Sequence, residues 1–158
     1  IIRKNNIIFL LIGGGLEKEA IEKLTVNEDN IKLLPEVPMD KIGHYLLNSN
    51  VLLVHLKDDP LFKITIPSKT QAYMSIGKPI LMGLKGDAAD LVRQSNCGLI
   101  FDPESETSLV KAVNEIYGMS SEKLKLMGEN GEKYYREFLS IKVGVDKFHN
   151  IFQKLLSN

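Results

Sequence analysis

Apolar and polar positions along this chain fall into blocks whose period switches between strand-like and helix-like. Residues 7–12 are six consecutive apolar side chains, rich in isoleucine, between Asn6 and Gly13. Such a run predicts a strand covered on both faces, as in a parallel sheet. Gly13, Gly14 and Gly15 follow, then a charged segment predicted as a helix over 16–24. Residues 31–34 read as a second short strand, 38–47 as a helix and 51–54 as a third strand. A helix over 67–77, a strand over 80–82, a helix over 87–94 and a strand over 99–101 complete the series. The β-α-β-α-β-α-β-α-β rhythm predicts an α/β fold with a doubly wound parallel sheet.

After Pro103 the pattern is helical to the end. Leu109, Val113 and Ile116 mark one helix, and Leu124, Met127, Tyr134 and Tyr135 a second. The terminal helix, within 139–158, carries Phe148, Ile151, Phe152, Leu155 and Leu156, an i, i+3, i+4, i+7, i+8 stripe. That stripe fits packing on this domain's own sheet, or docking on a partner half.

In open parallel sheets, ligands sit outside the carboxyl ends of the strands. This rule groups residues 13–15, 35–37, 55–67 and 83–87 around one crevice. The glycines there either make a tight turn or let a ligand approach the main chain. The helix at 67 starts with Pro67, and Ser68 with Gln71 forms an S-x-x-Q capping-box pattern. Gly77 ends it and Pro79 blocks its continuation. A helix start at a strand-loop unit offers unpaired N–H groups and a positive dipole end, and Lys69 suits an anion beside it. The pattern predicts a phosphate-bearing ligand.

Composition narrows the classes. The chain has 158 residues, 44% of them apolar and 25% charged, with 20 basic against 20 acidic side chains. That is one domain's worth of chain, with no basic excess to meet a nucleic-acid backbone. Cys97 is the single cysteine, so no internal disulfide forms and a reducing compartment fits. No apolar run approaches the roughly 18 residues of a membrane span. The first residue is Ile1 directly before a strand, and the chain reads as a piece of a longer protein.

Other chemical candidates are weak. No His, Cys, Asp and Glu cluster has metal-ligand spacing, so no metal is expected. His44 and His149 read as surface histidines, and His55, after the third strand, as a rim residue. Asp58 and Asp59 read as a solvated turn. In a G-x-G-x-x-G fingerprint the third glycine falls on Lys18, which breaks the motif. Arg3 and Lys4 lie at the wrong end of the first strand for the crevice. No catalytic residue is identified.

Four blocks, in order, resemble the C-terminal, donor-binding half of retaining glycosyltransferases of the GT-B architecture, family 4 (group 1). Residues 9–17 look like that family's strand followed by G-x-G-P-x. Residues 31–38 resemble V-x-F-L-G-x-V-P, and 49–53 the A-D-V-x-V strand after it. Residues 67–79 resemble P-x-x-x-x-E-A-M-A-x-G-K-P. Residues 86–92 with 96–100 resemble G-G-x-P-E-L-V and x-T-G-L-L-V. The likeness runs from residue 7 to about 117. Pro67-Ser68-Lys69 with Tyr73-Met74 is most similar to bacterial enzymes of capsule and lipopolysaccharide O-chain synthesis.

The resemblance implies a Rossmann-like half of a two-domain enzyme, acting at the cytoplasmic face of the membrane. It implies a nucleoside diphosphate sugar, usually a uridine one (UDP-sugar), as donor substrate and no cofactor. The acceptor, a saccharide or lipid-linked sugar, would be held by a missing N-terminal half. The pyrophosphate would lie on Thr65, Ile66 and the turn at Pro67, Ser68 and Lys69. The base would meet Pro35, Glu36 and Val37, with Gly13, Gly14 and Gly15 close to the nucleotide. The family's two glutamates, eight positions apart, fall on Ile64 and Ala72; neither is acidic, and Lys63 is adjacent to the first. A degenerate, non-catalytic domain would also look like this. A sugar-nucleotide epimerase would need crevice carboxylates, and a receiver-like module an acidic cluster where this chain has glycines.

Overall fold

The computed structural model describes residues 6–157; Arg3 and Lys4 lie outside them. The chain divides into two compact units, Ile1–Tyr45 and Leu46–Asn158. Its α/β architecture consists of parallel sheets flanked by helices. Among the described residues every strand pairing is parallel, as the rhythm predicted, with two strands in the first unit and three in the second.

In the first unit β1 (Phe9–Ile12) pairs in parallel with β2 (Ile31–Leu34), Phe9 opposite Ile31 and Ile12 opposite Leu34. Helix α1 (Lys18–Thr25) connects them, and α2 (Met39–Asn48) follows. The strand starts at Phe9, two residues later than predicted. It is not covered on both faces: Leu10 and Leu11 stay 39% and 40% exposed. Neither helix contributes a buried residue. A two-stranded ribbon of four-residue strands has too little area to make a core of its own.

The second unit holds the core. Strands β3 (Leu52–His55), β4 (Ile80–Gly83) and β5 (Gly98–Ile100) are parallel in the order β3-β4-β5. Leu52 lies opposite Ile80, and Ile80 opposite Gly98. Helix α3 (Pro60–Lys63) is a single turn; α4 (Ser68–Ile76) packs on β3 and β4, and α5 (Asp87–Ser95) on β4 and β5. With helices against it, β4 is buried along its whole length, as a central parallel strand should be. Val54, Met74, Ile80, Met82, Leu84, Val92 and Cys97 form the core, with Phe62, Tyr73 and Tyr134 packed around them. Gly77 ends α4 in left-handed backbone (φ 71°), its N–H donating to the carbonyl of Met74, as the sequence predicted.

Beyond β5 come α6 (Glu106–Tyr117) and α7 (Ser121–Tyr134), capped by Ser105 and Ser120. A π-helical turn, Tyr135–Leu139, leads into α8 (Ile141–Leu156). The terminal stripe does not pack on this unit's sheet. Val145, Phe148, Ile151, Phe152 and Leu155 are each more than half exposed. Helix α8 instead meets the π-helical turn, and Phe148 stacks on Phe152 with ring centroids 6.4 Å apart.

Candidate functional site at the strand ends

The carboxyl ends of β3, β4 and β5 carry an interlocked set of side chains. His55 closes β3 opposite Gly83, which closes β4. The His55 ring stacks on Phe101 at 5.8 Å between centroids. Both rings lie over Gly83, where a Cβ would stand 2.6 Å from Phe101 Cε2 and 2.7 Å from His55 Cδ2. Only a glycine lets the two rings meet there.

His55 Nε2 accepts a hydrogen bond from the Glu104 N–H at 3.2 Å, which ties the end of β3 to the loop after β5. Glu104 has left-handed backbone (φ 57°), uncommon for a non-glycine residue. Its Oε2 accepts from the Asp58 N–H at 2.9 Å. The loop after β5 thus grips the loop after β3 at both ends.

Asp58 is more than a solvated turn. Its carboxylate accepts from Lys85 Nζ and lies 3.8 Å from Lys63 Nζ. The Lys85 hydrogen bond, with the Lys85 and Lys63 charges, holds the Asp58 carboxyl below the usual carboxylate range. The same bond raises Lys85, helped by the charges of Asp58 and Asp102. Asp59 caps α3, with Oδ1 accepting from the Leu61 N–H at 2.8 Å ahead of Pro60 at the first helical position. Gly86, at φ 72°, brings the loop after β4 against α3. A Cβ there would lie 2.7 Å from the carbonyl carbon of Lys63 and 2.8 Å from its Cα.

The expected donor residues of this unit lie on one continuous segment. Lys63 ends α3, and Ile64 closes it while 74% exposed. Thr65 Oγ1 donates to the Leu61 carbonyl at 2.7 Å, and Ile66 is 37% exposed. Ser68, Lys69 and Ala72 are exposed on α4. The capping box does not form. Pro67 is the extended N-cap (ψ 135°) and Ser68 is already helical, whereas a capping serine must precede the helix. The start of α4 therefore has no side-chain cap and no acidic side chain in its first turn. Its N–H groups keep their positive dipole end unneutralised. Thr70, in the same turn, is fully buried and its Oγ1 has no hydrogen-bond partner.

In the first unit, Gly13, Gly14 and Gly15 follow β1, and Glu36 and Val37 follow β2. The Gly13 N–H donates to the Leu34 carbonyl at 3.2 Å, which sets the two loops side by side. A Cβ on any of the three glycines would meet nothing within 4 Å. Packing within the chain is not why they are glycines.

Asp58, Lys85 and Glu104 were not predicted. The Asp-Pro step at 59–60 is a readable cap signal, but Lys85 and Glu104 meet Asp58 only through the fold. Among the described residues no group of three or more His, Cys, Asp or Glu is placed to hold a metal ion. No described helix is long and apolar enough to cross a membrane.

Solved structures share this fold at low identity. Sucrose-phosphate synthase from Thermosynechococcus elongatus superposes with a TM-score of 0.76 at 16% identity, covering 94% of this chain and 38% of that one. A glycosyltransferase from Rickettsia africae gives 0.76 at 15%, covering 97% and 41%. Anabaena HepE in complex with UDP and glucose gives 0.74 at 17%, covering 98% and 42%. The chain thus spans about two fifths of the length of these relatives. No curated protein sequence matches it significantly. The family of glycosyl transferases group 1 matches over residues 1–134. With more than four fifths of its length inside that match, the chain belongs to the group 1 glycosyl transferases.

Proposed function

We propose that this chain is the donor-binding half of a glycosyltransferase that takes a sugar from a nucleoside diphosphate sugar, of the uridine type. The observation that carries this reading is the start of α4, a helix N-terminus with neither side-chain cap nor acidic residue, five residues after Lys63. Family membership and the crystallised complexes of Anabaena HepE with UDP and with UDP-glucose support it.

Chemistry follows from where charge develops. As the donor's bond between the sugar's anomeric carbon and the diphosphate oxygen breaks and the acceptor oxygen takes its place, the sugar passes through oxocarbenium character and the leaving diphosphate gains negative charge. A fixed helix dipole and lysines stabilise that charge more in the transition state than in the ground state, which raises the rate. Ser68 and Lys69, with Thr65 and Ile66, are the donor-facing residues of this unit in that scheme. Gly13, Gly14, Gly15, Glu36 and Val37 belong to it as nucleoside contacts. Retention of configuration, no metal requirement and a role in bacterial surface polysaccharide synthesis at the cytoplasmic membrane face are parts of the same proposal. So are an acceptor-binding half elsewhere in a longer protein and docking of the exposed α8 stripe against it.

One observation favours a second reading. Ile64 and Ala72 stand where the resemblance implies acidic donor contacts, and both are exposed without an acid. A non-catalytic donor-binding or structural domain would keep the fold and lose these groups.

The test is an NMR titration of the chain with UDP, UDP-N-acetylglucosamine and inorganic phosphate. Amide shifts at 13–15, Val37 and 65–69 with UDP, much weaker with phosphate, are the expected result. No shift with UDP at millimolar concentration would move the reading to the degenerate domain.

A further inference from the structure

Stability does not explain the arrangement around Asp58. The Lys63 and Lys85 side chains are 48% and 47% exposed, and exposed ion pairs add little to a fold. Yet the chain fixes this cluster with care. The Asp58 backbone is held by Glu104, which sits in a left-handed conformation that a non-glycine residue keeps only where its surroundings over-determine it. Those surroundings are the bond to His55, the Ser105 N–H to the Asp102 carbonyl at 3.3 Å, and the Asp102 N–H to Ser108 Oγ at 2.9 Å. Backbone strain held by long-range bonds around a surface ion cluster points to pre-organisation for a ligand.

The ligand's chemistry follows from the charges. Lys85 is on Asp58 Oδ2 and Lys63 on Oδ1, two ammonium groups facing two oxygens of one anion. They stand at the carboxyl ends of β3 and β4, where parallel sheets receive ligands. Asp102 and Glu104 also face the cluster, so it has no standing excess of positive charge. An anion binds here only by taking Asp58's place on the lysines. A diphosphate carries more charge than a carboxylate and can engage both ammonium groups, and lysine binds phosphate as a point charge.

We infer that Lys85 is a diphosphate-binding residue of the donor site and that Asp58 is its resident counter-ion, displaced when the ligand's phosphate arrives. This rests on the donor-binding reading above. Asp58 and Glu104 are positioning residues in this scheme. It predicts opposite signs for two changes at one ion pair, which a purely structural bridge cannot give.

The experiment titrates the 158-residue chain with inorganic pyrophosphate and, separately, with UDP, following the amides of Lys85, Gly86 and Asp87. Lys85→Gln should weaken pyrophosphate binding about tenfold or more, by loss of a charge-assisted hydrogen bond. Lys85→Arg should largely retain it, and Asp58→Asn should tighten it by removing the competitor. Lys125→Gln, at a lysine paired with Glu129 on α7, should change nothing. Wild-type chain that shows no pyrophosphate shifts, Lys85→Gln binding like wild type, or Asp58→Asn weakening binding as Lys85→Gln does, would each overturn the inference. UDP binding that ignores Lys85→Gln sinks this inference and leaves the donor reading standing. Lys85-dependent pyrophosphate binding with no gain for UDP sinks the nucleotide reading and leaves the diphosphate site.

Discussion

Replacing Gly86 with alanine tests whether the strand-end loops are held as rigidly as the site needs. Two penalties act together. At φ 72° and ψ −145°, Gly86 occupies backbone that only glycine adopts comfortably, and a side chain there costs of order 1–3 kcal/mol. The added Cβ would also stand 2.7 Å and 2.8 Å from backbone atoms of Lys63, well inside the ordinary contact distance. Because the obstacle is main chain, a rotamer change cannot relieve it, and overpacking of this kind costs about 1–3 kcal/mol. Lower entropy of the unfolded alanine chain returns about 0.4–1 kcal/mol. Since α3 is a single exposed turn that can yield somewhat, the expected net loss is about 2–4 kcal/mol. Gly144→Ala is the control: it lies within α8, its Cβ meets nothing within 4 Å, and it should gain about 0.5–1 kcal/mol from helix propensity. The assay is urea unfolding followed by amide signals of Val54 and Met82, so that the transition reports the second unit alone. A loss below about 1 kcal/mol for Gly86→Ala would refute the claim that Gly86 is required by its backbone and by Lys63.

Two further outcomes follow from the site. Ala72→Glu places an acid on an exposed position of α4, at a helix-propensity cost of a few tenths of a kcal/mol. It should tighten UDP binding about tenfold or more by charge-assisted bonds to ribose, without improving pyrophosphate binding; calorimetry showing unchanged UDP affinity would remove Ala72 from the donor site. Asp58 should titrate below the ordinary carboxylate value of about 3.9, so its contribution to stability is present above that pH and lost as pH falls through the folded value. Lys85, raised, contributes below about 10.4 and loses this as pH rises through its own folded value. Carboxyl-carbon NMR should show Asp58 returning toward the ordinary range in Lys85→Gln, and an unmoved Asp58 would break the assigned cause.

Local signals in the sequence were sufficient for the order and type of the strands and the longer helices, though not for the single turn α3 or the π-helical turn. Alternating apolar and helical periods gave the α/β rhythm, Gly77 and Pro79 gave the end of α4, and four blocks in order gave the family. Each of these depends on residues within a turn or two of one another. The partnership of strands did not follow: a continuous apolar run says that a strand is suited to burial, not how many neighbours it has. Among the described residues of the first unit β1 pairs with β2, and Leu10 and Leu11 stay partly exposed. The α8 stripe was legible, but its lack of a cover was not, because period shows that a face is apolar and says nothing of what lies against it. The capping pattern at Ser68 failed for a reason of one residue. Pro67 takes the extended cap position, and whether a serine falls on the cap or just inside the helix is set by how α3 delivers the chain. The strand-end cluster was decided by tertiary structure alone. Asp58, Lys85 and Glu104 are 27 and 46 residues apart from one another along the chain, counted from Asp58. Parallel β3, β4 and β5 bring their loops to one end, and the glycines at 83 and 86 let those loops touch. Charge chemistry was present in the residue types from the start, but only the register of the sheet gave it an address.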